Sequence, residues 1–352
     1  MDPIRPEADR IALAARVLRR GGTVAFPTET VYGLGANCFS DSACSKIFAA
    51  KGRQPDNPLI VHLSTTEELP MVAREVPPSL EELLKRLWPG PLSVVLPKRD
   101  EVSQVASAGL PTVAVRVPAH PVALALIREA GVPVAAPSAN TSTRPSPTRA
   151  SHVIDDLGAK IDIILDGGEA FFGIESTVIR PSGSGVEVLR PGPFTLDELR
   201  KHFGTTIVAE SNHSSGAPPS PGMKYLHYSP KKPLVLADSV ECIKALNEEL
   251  TKRGLISETI CTSDQVQGLA GPTRLLGSGE DIYEVAKNLY SAIRDFDQGS
   301  SDIGIISAFP EEGIGFAIMN RIRKACGDRV AEHPDQVKKL CDLLDRNRGG
   351  SL

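Results

Sequence analysis

The polar residues hardest to explain by packing fall in the first part of the chain, and they come in groups. Thr28-Glu29-Thr30 with Tyr32, Lys51-Gly52-Arg53, Asn57, His62, Arg116, Ser138-Ala139-Asn140 and Ser176 stand at the ends of apolar runs or in the loops that follow. Arginine and lysine supply charge and forked donors, while serine, threonine and asparagine supply short neutral hydrogen bonds. Together they suit phosphates and a carboxylate, and so chemistry on a nucleotide. No GxxxxGK loop and no GxGxxG turn occurs, so a P-loop NTPase or a Rossmann dehydrogenase would lack its phosphate cradle. A GxSxG elbow and an HExxH pair are also missing, which weakens hydrolase and zinc readings. What remains is phosphoryl or nucleotidyl transfer, which needs reactants held in line and phosphate charge neutralised, typically with Mg²⁺.

Taken singly, each group has a plain structural reading. Lys51 and Arg53 close a predicted helix, where cations complement the dipole. His62 lies in an apolar strand and fits a satisfied core histidine. Arg116 alternates within TVAVRVP and fits a solvent-facing position equally well. PSAN and PTET read as turns capped by hydroxyls. No single group decides the matter.

The elements that must position these residues form a mixed pattern. Helices are predicted over Pro6–Arg20, Asp41–Ala50, Ser79–Leu87, Pro121–Ala130 and Thr195–His202. Strands are predicted over Thr23–Phe26, Pro58–Leu63, Leu92–Leu96, Thr112–Val117, Val132–Ala136, Ile161–Leu165, Thr177–Arg180 and Val186–Leu189, with PTETVYGLG as a loop. Helices and strands do not alternate strictly, so the fold class is α/β with a twisted, mixed sheet. From about Val208 to Lys232 the chain is too rich in Ser, Pro and Gly for regular structure, yet MKYLHY carries more aromatic content than an idle spacer needs. Beyond it, strands at Leu234–Leu236, Thr259–Thr262 and Ile303–Ile306 with helices at Val240–Arg253 and Asp281–Phe296 predict a smaller open α/β domain. The 352 residues thus divide into a domain over 1–207, a linker over 208–232 and a second domain over 233–346.

A net charge of -4 gives no overall pull toward nucleic acid or membrane, so any RNA binding must be local. The six cysteines form no Cys-x-x-Cys pair and fit core thiols in a reducing compartment. No apolar run matches a signal peptide or spans a bilayer, so a cytoplasmic protein without membrane attachment is expected.

Read together, GGTVAFPTETVYGLGAN, KGRQPDNPLIVHL, WPGPLSVVLP, TVAVRVP, PVAAPSANTSTRPSPT, GIESTVIRP, LRPG, the linker motif PGMKYLHYSP and the C-terminal IGFAIMNRIRKACGD resemble, in order, the threonylcarbamoyl-AMP synthase family. The resemblance is to its longer Sua5 form, which adds an open, Rossmann-like α/β domain to a YrdC-like one. It implies synthesis of L-threonylcarbamoyl-AMP and pyrophosphate from L-threonine, bicarbonate and ATP, for threonylcarbamoyladenosine formation in tRNA. Proteins that transfer the threonylcarbamoyl group to tRNA are the implied downstream partners. Thr30, His62, Arg116, Ser176 and the backbone at Ala136 would hold L-threonine. Arg53, Asn57, Thr112, Ser138, Asn140, Ser146, Arg190 and Tyr228 of the linker would contact ATP, with Lys51 and Arg53 stabilising its phosphates. Mg²⁺ would arrive with ATP, and neither an organic cofactor nor a protein-held metal is implied. A second reading is an RNA-binding or ribosome-associated module with weak RNA affinity; mixed Thr, Ser, Asn, Lys and Arg in place of a basic run with stacking aromatics ranks it second. A related carbamoyl-transfer domain of hydrogenase maturation carries Cys-rich zinc motifs, which this chain lacks.

Overall fold

Helix ends in this chain are written into its sequence. The helix α1 (Ala8–Arg19) turns Ile11, Ala14, Ala15 and Leu18 inward and leads into strand β1 (Val24–Phe26). Strand β2 (Gly33–Asn37) precedes α2 (Asp41–Lys51), which Ser40 caps by accepting from the Ala43 amide and which Gly52 ends at φ 63°. There follow β3 (Ile60–His62), α3 (Pro78–Leu87), β4 (Leu92–Pro97), α4 (Gln104–Ser107) and β5 (Thr112–Arg116). The helix α5 (Pro121–Ala130) has His120 as N-cap, Pro121 in its first turn and Gly131 at φ 64° beyond its end. The first part closes with β6 (Val134–Ala135), α6 (Ala150–Leu157), β7 (Ile163–Ile164), β8 (Thr177–Ser182), β9 (Gly185–Arg190), α7 (Leu196–Phe203) and β10 (Thr206–Val208).

The computed structural model describes residues 6–183, 185–209, 218 and 228–349. Contacts divide the chain into two units: Met1–Ser142 with Ser146–Tyr225, and Thr143–Pro145 with Leu226–Leu352. Most of the linker expected over 208–232 lies outside the described residues.

Among the described residues of the first unit, ten strands pair in the order β10-β9-β8-β4-β5-β3-β6-β2-β1-β7, with parallel and antiparallel neighbours mixed. The predicted loop PTETVYGLG is shorter than expected, because Gly33–Asn37 is a strand between β1 and β6. Glycine there answers a packing demand: a Cβ on Gly35 would lie 2.6 Å from Val134 Cγ1 and 2.8 Å from Phe26 Cε1.

Alternation sorts the strand residues between two faces. On one face Val61, Leu63, Val94, Leu96, Val113, Val115 and Ala135 join the main core with Ile47 and Phe48 of α2. On the other, α1 and α5 pack on Val24, Phe26, Val134 and Ala136. Ile60, Val95, Ala114, Val178 and Leu189 form a separate small cluster. His62, Arg116, Ser93, Ser176 and Thr112 fall two residues from members of that cluster, so they share its face.

The second unit holds strands β11 (Leu234–Ala237), β12 (Ser257–Cys261), β13 (Thr273–Leu275), β14 (Ile303–Ser307) and β15 (Val330–Ala331) in the order β13-β12-β14-β11-β15, all parallel. Its helices are α8 (Val240–Lys252), capped by Ser239, α9 (Ile282–Gln298), capped by Asp281, α10 (Gly315–Cys326) and α11 (Val337–Gly349). The core side of α8 packs Cys242, Ile243, Leu246 and Leu250 on Val235, Ile303 and Ile305. The open α/β domain is therefore present, with a parallel sheet. All six cysteines are free and buried. No helix among the described residues is long and apolar enough to cross a membrane.

Candidate functional site

Strand pairing alone brings several predicted residues side by side. The parallel register of β3 and β5 sets His62 beside Arg116, and β3 pairs antiparallel with β6 through His62 and Val134. Both His62 and Arg116 are almost fully buried. His62 Nδ1 lies 3.1 Å from the Ile60 carbonyl, and its ring meets Phe26 edge-on at 6.0 Å. Burial, reinforced by the charge of Arg116, holds its pKa well below the usual histidine range, so the imidazole is neutral. Burial also lowers the Arg116 pKa, with Glu29 opposing that shift. Arg116 Nη2 lies 3.5 Å from Glu29 Oε2, and Arg116 Nε has no hydrogen-bond partner among the described residues. A buried guanidinium with unused donors is a receptor for an anion such as a carboxylate.

Two loops are laced together above this floor. The Thr28 and Thr30 hydroxyls lie 2.8 Å apart, and the Thr28 hydroxyl donates to the Val31 carbonyl at 2.6 Å. Tyr32 donates its amide to Pro147, Leu34 to Pro137, and Ala139 to Tyr32, at 2.8, 2.9 and 2.8 Å. The Ala136 amide donates to Ile60 at 2.8 Å, so a ligand contact at that position falls to its carbonyl. Lys51, the last residue of α2 and 1% exposed, sends Nζ to the carbonyls of Ser138 and Asn140, both at 2.5 Å. The lysine expected beside phosphates thus also ties down the Ser138–Asn140 loop. Asn140 turns its amide to the Thr141 carbonyl at 2.8 Å.

Arg53 donates from Nε to the Asn57 carbonyl at 3.1 Å and from Nη2 to Pro58 at 2.9 Å. This fork shapes the loop that presents Asn57, whose buried Oδ1 has no partner among the described residues. On the β8 side, Arg190 Nε donates to the Ser176 carbonyl and Nη2 to its hydroxyl, both at 3.1 Å, while the Ser93 and Ser176 hydroxyls lie 2.9 Å apart. Ser146 donates to Glu175 Oε1 at 2.5 Å. Thr112 is half-buried at the start of β5.

The first unit therefore carries Thr30, Lys51, Arg53, Asn57, His62, Thr112, Arg116, Ala136, Ser138, Asn140, Ser146, Ser176 and Arg190. Tyr228 belongs to the second unit, buried, with its ring stacked on Tyr290 at 5.3 Å and the Arg321 guanidinium 6.0 Å from its centre. Sequence reasoning missed Ser93 and Glu175, which hold Ser176 and Ser146. The available signals were a lone hydroxyl in the apolar run LSVVL and a carboxylate next to Ser176.

Comparison with known proteins places this architecture. A family model described as "Telomere recombination" matches residues 16–192, and one described as "Threonylcarbamoyl-AMP synthase, C-terminal domain" matches residues 194–327. Threonylcarbamoyl-AMP synthase of Pyrococcus abyssi is 43% identical, covering 93% of this chain and 96% of its own length. That of Bacillus subtilis is 44% identical, covering 94% and 96%. The crystal structure of P. abyssi Sua5 complexed with L-threonine superposes with a TM-score of 0.89 at 42% identity, over 94% of this chain and 97% of that one.

Proposed function

The chain belongs to the threonylcarbamoyl-AMP synthase family, and we infer that it acts as a nucleotidyltransferase joining L-threonine, bicarbonate and ATP. The observation that carries the reading is Arg116: a guanidinium buried on the sheet floor beside neutral His62, with an open Nε, fits the carboxylate of a small amino acid. Thr30, Ser176 and the Ala136 carbonyl supply the neutral hydrogen bonds around it.

In the proposed reaction the threonine ammonium gives up a proton to solvent, and the resulting amine combines with bicarbonate to give a carbamate and water. A carbamate oxygen then attacks the α-phosphorus of ATP, forming the mixed anhydride and expelling pyrophosphate. Arg53, Asn57, Thr112, Ser138, Asn140, Ser146 and Arg190 are assigned to the nucleotide. Lys51 acts there both through its charge and by fixing the Ser138–Asn140 loop. Among the described residues no three His, Cys, Asp or Glu are grouped as metal ligands, a lining that fits Mg²⁺ brought on ATP rather than held by the protein. Bound in that way it supplies charge neutralisation. Buried residues around the reacting atoms exclude water from the labile carbamate. The product is proposed to pass to proteins that transfer the threonylcarbamoyl group to tRNA in the cytoplasm.

The test is pyrophosphate release from ATP by the purified protein with Mg²⁺. Release that needs both L-threonine and bicarbonate supports the assignment. Release indifferent to threonine, or none under any condition, refutes it.

A further inference from the structure

Glu29 sits in the loop after β1 with its side chain 5% exposed, and neither carboxylate oxygen has a hydrogen-bond partner among the described residues. The nearby hydroxyls do not serve it: Thr28 and Thr30 face each other, and Thr28 is further engaged by the Val31 carbonyl. Its charged neighbour is Arg116, 3% exposed and 3.5 Å away, a separation for charge attraction without a formed hydrogen bond. Arg116 Nε is likewise open. Buried ionised groups are normally saturated with hydrogen bonds, because a carboxylate stripped of water keeps about four acceptor sites to fill. Two adjacent groups of opposite charge, both buried and both unsaturated, make a receptor of defined chemistry. They fit a small ligand that brings a cation to the carboxylate and an anion to the guanidinium, within one short span.

An α-amino acid is that ligand, since its ammonium and carboxylate are carried on one carbon. We propose that Glu29 binds the α-ammonium of the amino-acid substrate while Arg116 holds its carboxylate, so that Glu29 distinguishes an α-amino acid from the matching 2-hydroxy acid. The proposal rests on the reading of this site as the threonine pocket and adds a residue to it. Glu29 then fixes the position of the nitrogen that must become the carbamate, so it touches the reacting atom and does not act only through Arg116.

The test compares L-threonine with its analogue carrying a hydroxyl in place of the ammonium, by calorimetric titration of the full chain and of Glu29→Gln. The wild type should bind threonine ~10–100-fold more tightly than the analogue, the range for a charge-assisted hydrogen bond in a buried site. In Glu29→Gln that preference should fall to about 3-fold or less, with ATP affinity unchanged. Equal weakening of both ligands would mean that Glu29 serves only to orient Arg116, and would overturn the proposal, as would an unchanged preference. If Glu29→Gln does not fold, the wild type decides alone: a preference for threonine below about 3-fold overturns the assignment and one above ~10-fold supports it. A wild type that binds neither ligand brings down the threonine reading itself, a result distinct from any of these.

Discussion

Replacing Lys51 by Met separates two roles for its ammonium. Methionine keeps much of the side-chain volume of this 1%-exposed residue, so the cavity contribution is small. What disappears is one buried cation and its two 2.5 Å bonds to the Ser138 and Asn140 carbonyls. Hydrogen bonds to a charged group contribute about 1.5–3 kcal/mol each, and Ser138 is partly open to water, so about 3 kcal/mol of local stability should be lost from this loop. The amides of Ala139 and Leu34, which bridge this loop and the Thr30–Tyr32 segment, report on the opening. At about 1.4 kcal/mol per factor of ten, their hydrogen exchange should speed up by ~100-fold in Lys51→Met, with amides of α5 unaffected. Turnover should fall by ~100-fold or more in the same variant, as expected for loss of a preorganised charge at the phosphates. Exchange within about 3-fold of wild type would refute the tethering role. A fall in turnover with no change in exchange would leave Lys51 acting on phosphate alone.

His120 caps α5 by accepting from the Val122 amide at 3.2 Å, and burial pulls its pKa from 6.5 down to about 4. The unfolded chain takes up a proton below about pH 6.5 and the folded one only near pH 4. Stability is therefore full above pH 6.5 and declines by about 3 kcal/mol as pH falls through that window, with His62 adding a loss of the same sign. His120→Asn keeps an acceptor at the cap, so urea midpoints at pH 5 and pH 7 should lie closer together than in wild type; an unchanged gap contradicts the assignment. A Cβ on Gly192 would lie 2.3 Å from the Thr177 amide nitrogen and 2.6 Å from the Ser176 carbonyl carbon. Gly192→Ala should therefore cost about 1–3 kcal/mol and displace Ser176, lowering threonine affinity ~10-fold in a titration. Arg53→Lys loses the fork that binds Asn57 and Pro58, and kcat/KM for ATP should drop by ~10–100-fold.

Much of this arrangement is legible in the sequence. The strand carrying TVAVR and the helices over Asp41–Lys51 and Pro121–Ala130 appear where periodicity, caps and glycine stops put them. The β2 strand was not, since Gly33, Leu34, Gly35 and Ala36 carry little strand propensity and are small because neighbours crowd them. Arg116 shows the limit of alternation: the pattern placed it on the face opposite Val113 and Val115 but could not say whether water or protein lay there. Lys51 was read from its place at a helix end, where the dipole accounts for a cation; that its ammonium reaches two carbonyls of a loop 87 and 89 residues away is a tertiary fact. Ser93 and Glu175 escaped for the same reason, each acting through a side chain distant in sequence.

The mixed strand order bears on how the protein is made. During synthesis β3 emerges long before its neighbours β5 and β6, and β4 waits for β8. His62 gains Arg116 only once β5 has paired, and Ser176 gains Arg190 only when the chain has been extended through β9. A nascent chain that stops short of Arg190 holds every residue of the PTET and PSAN loops and still lacks a finished pocket. The site is thus completed late, when β9 pairs with β8, and not at the stage when its loops have been made.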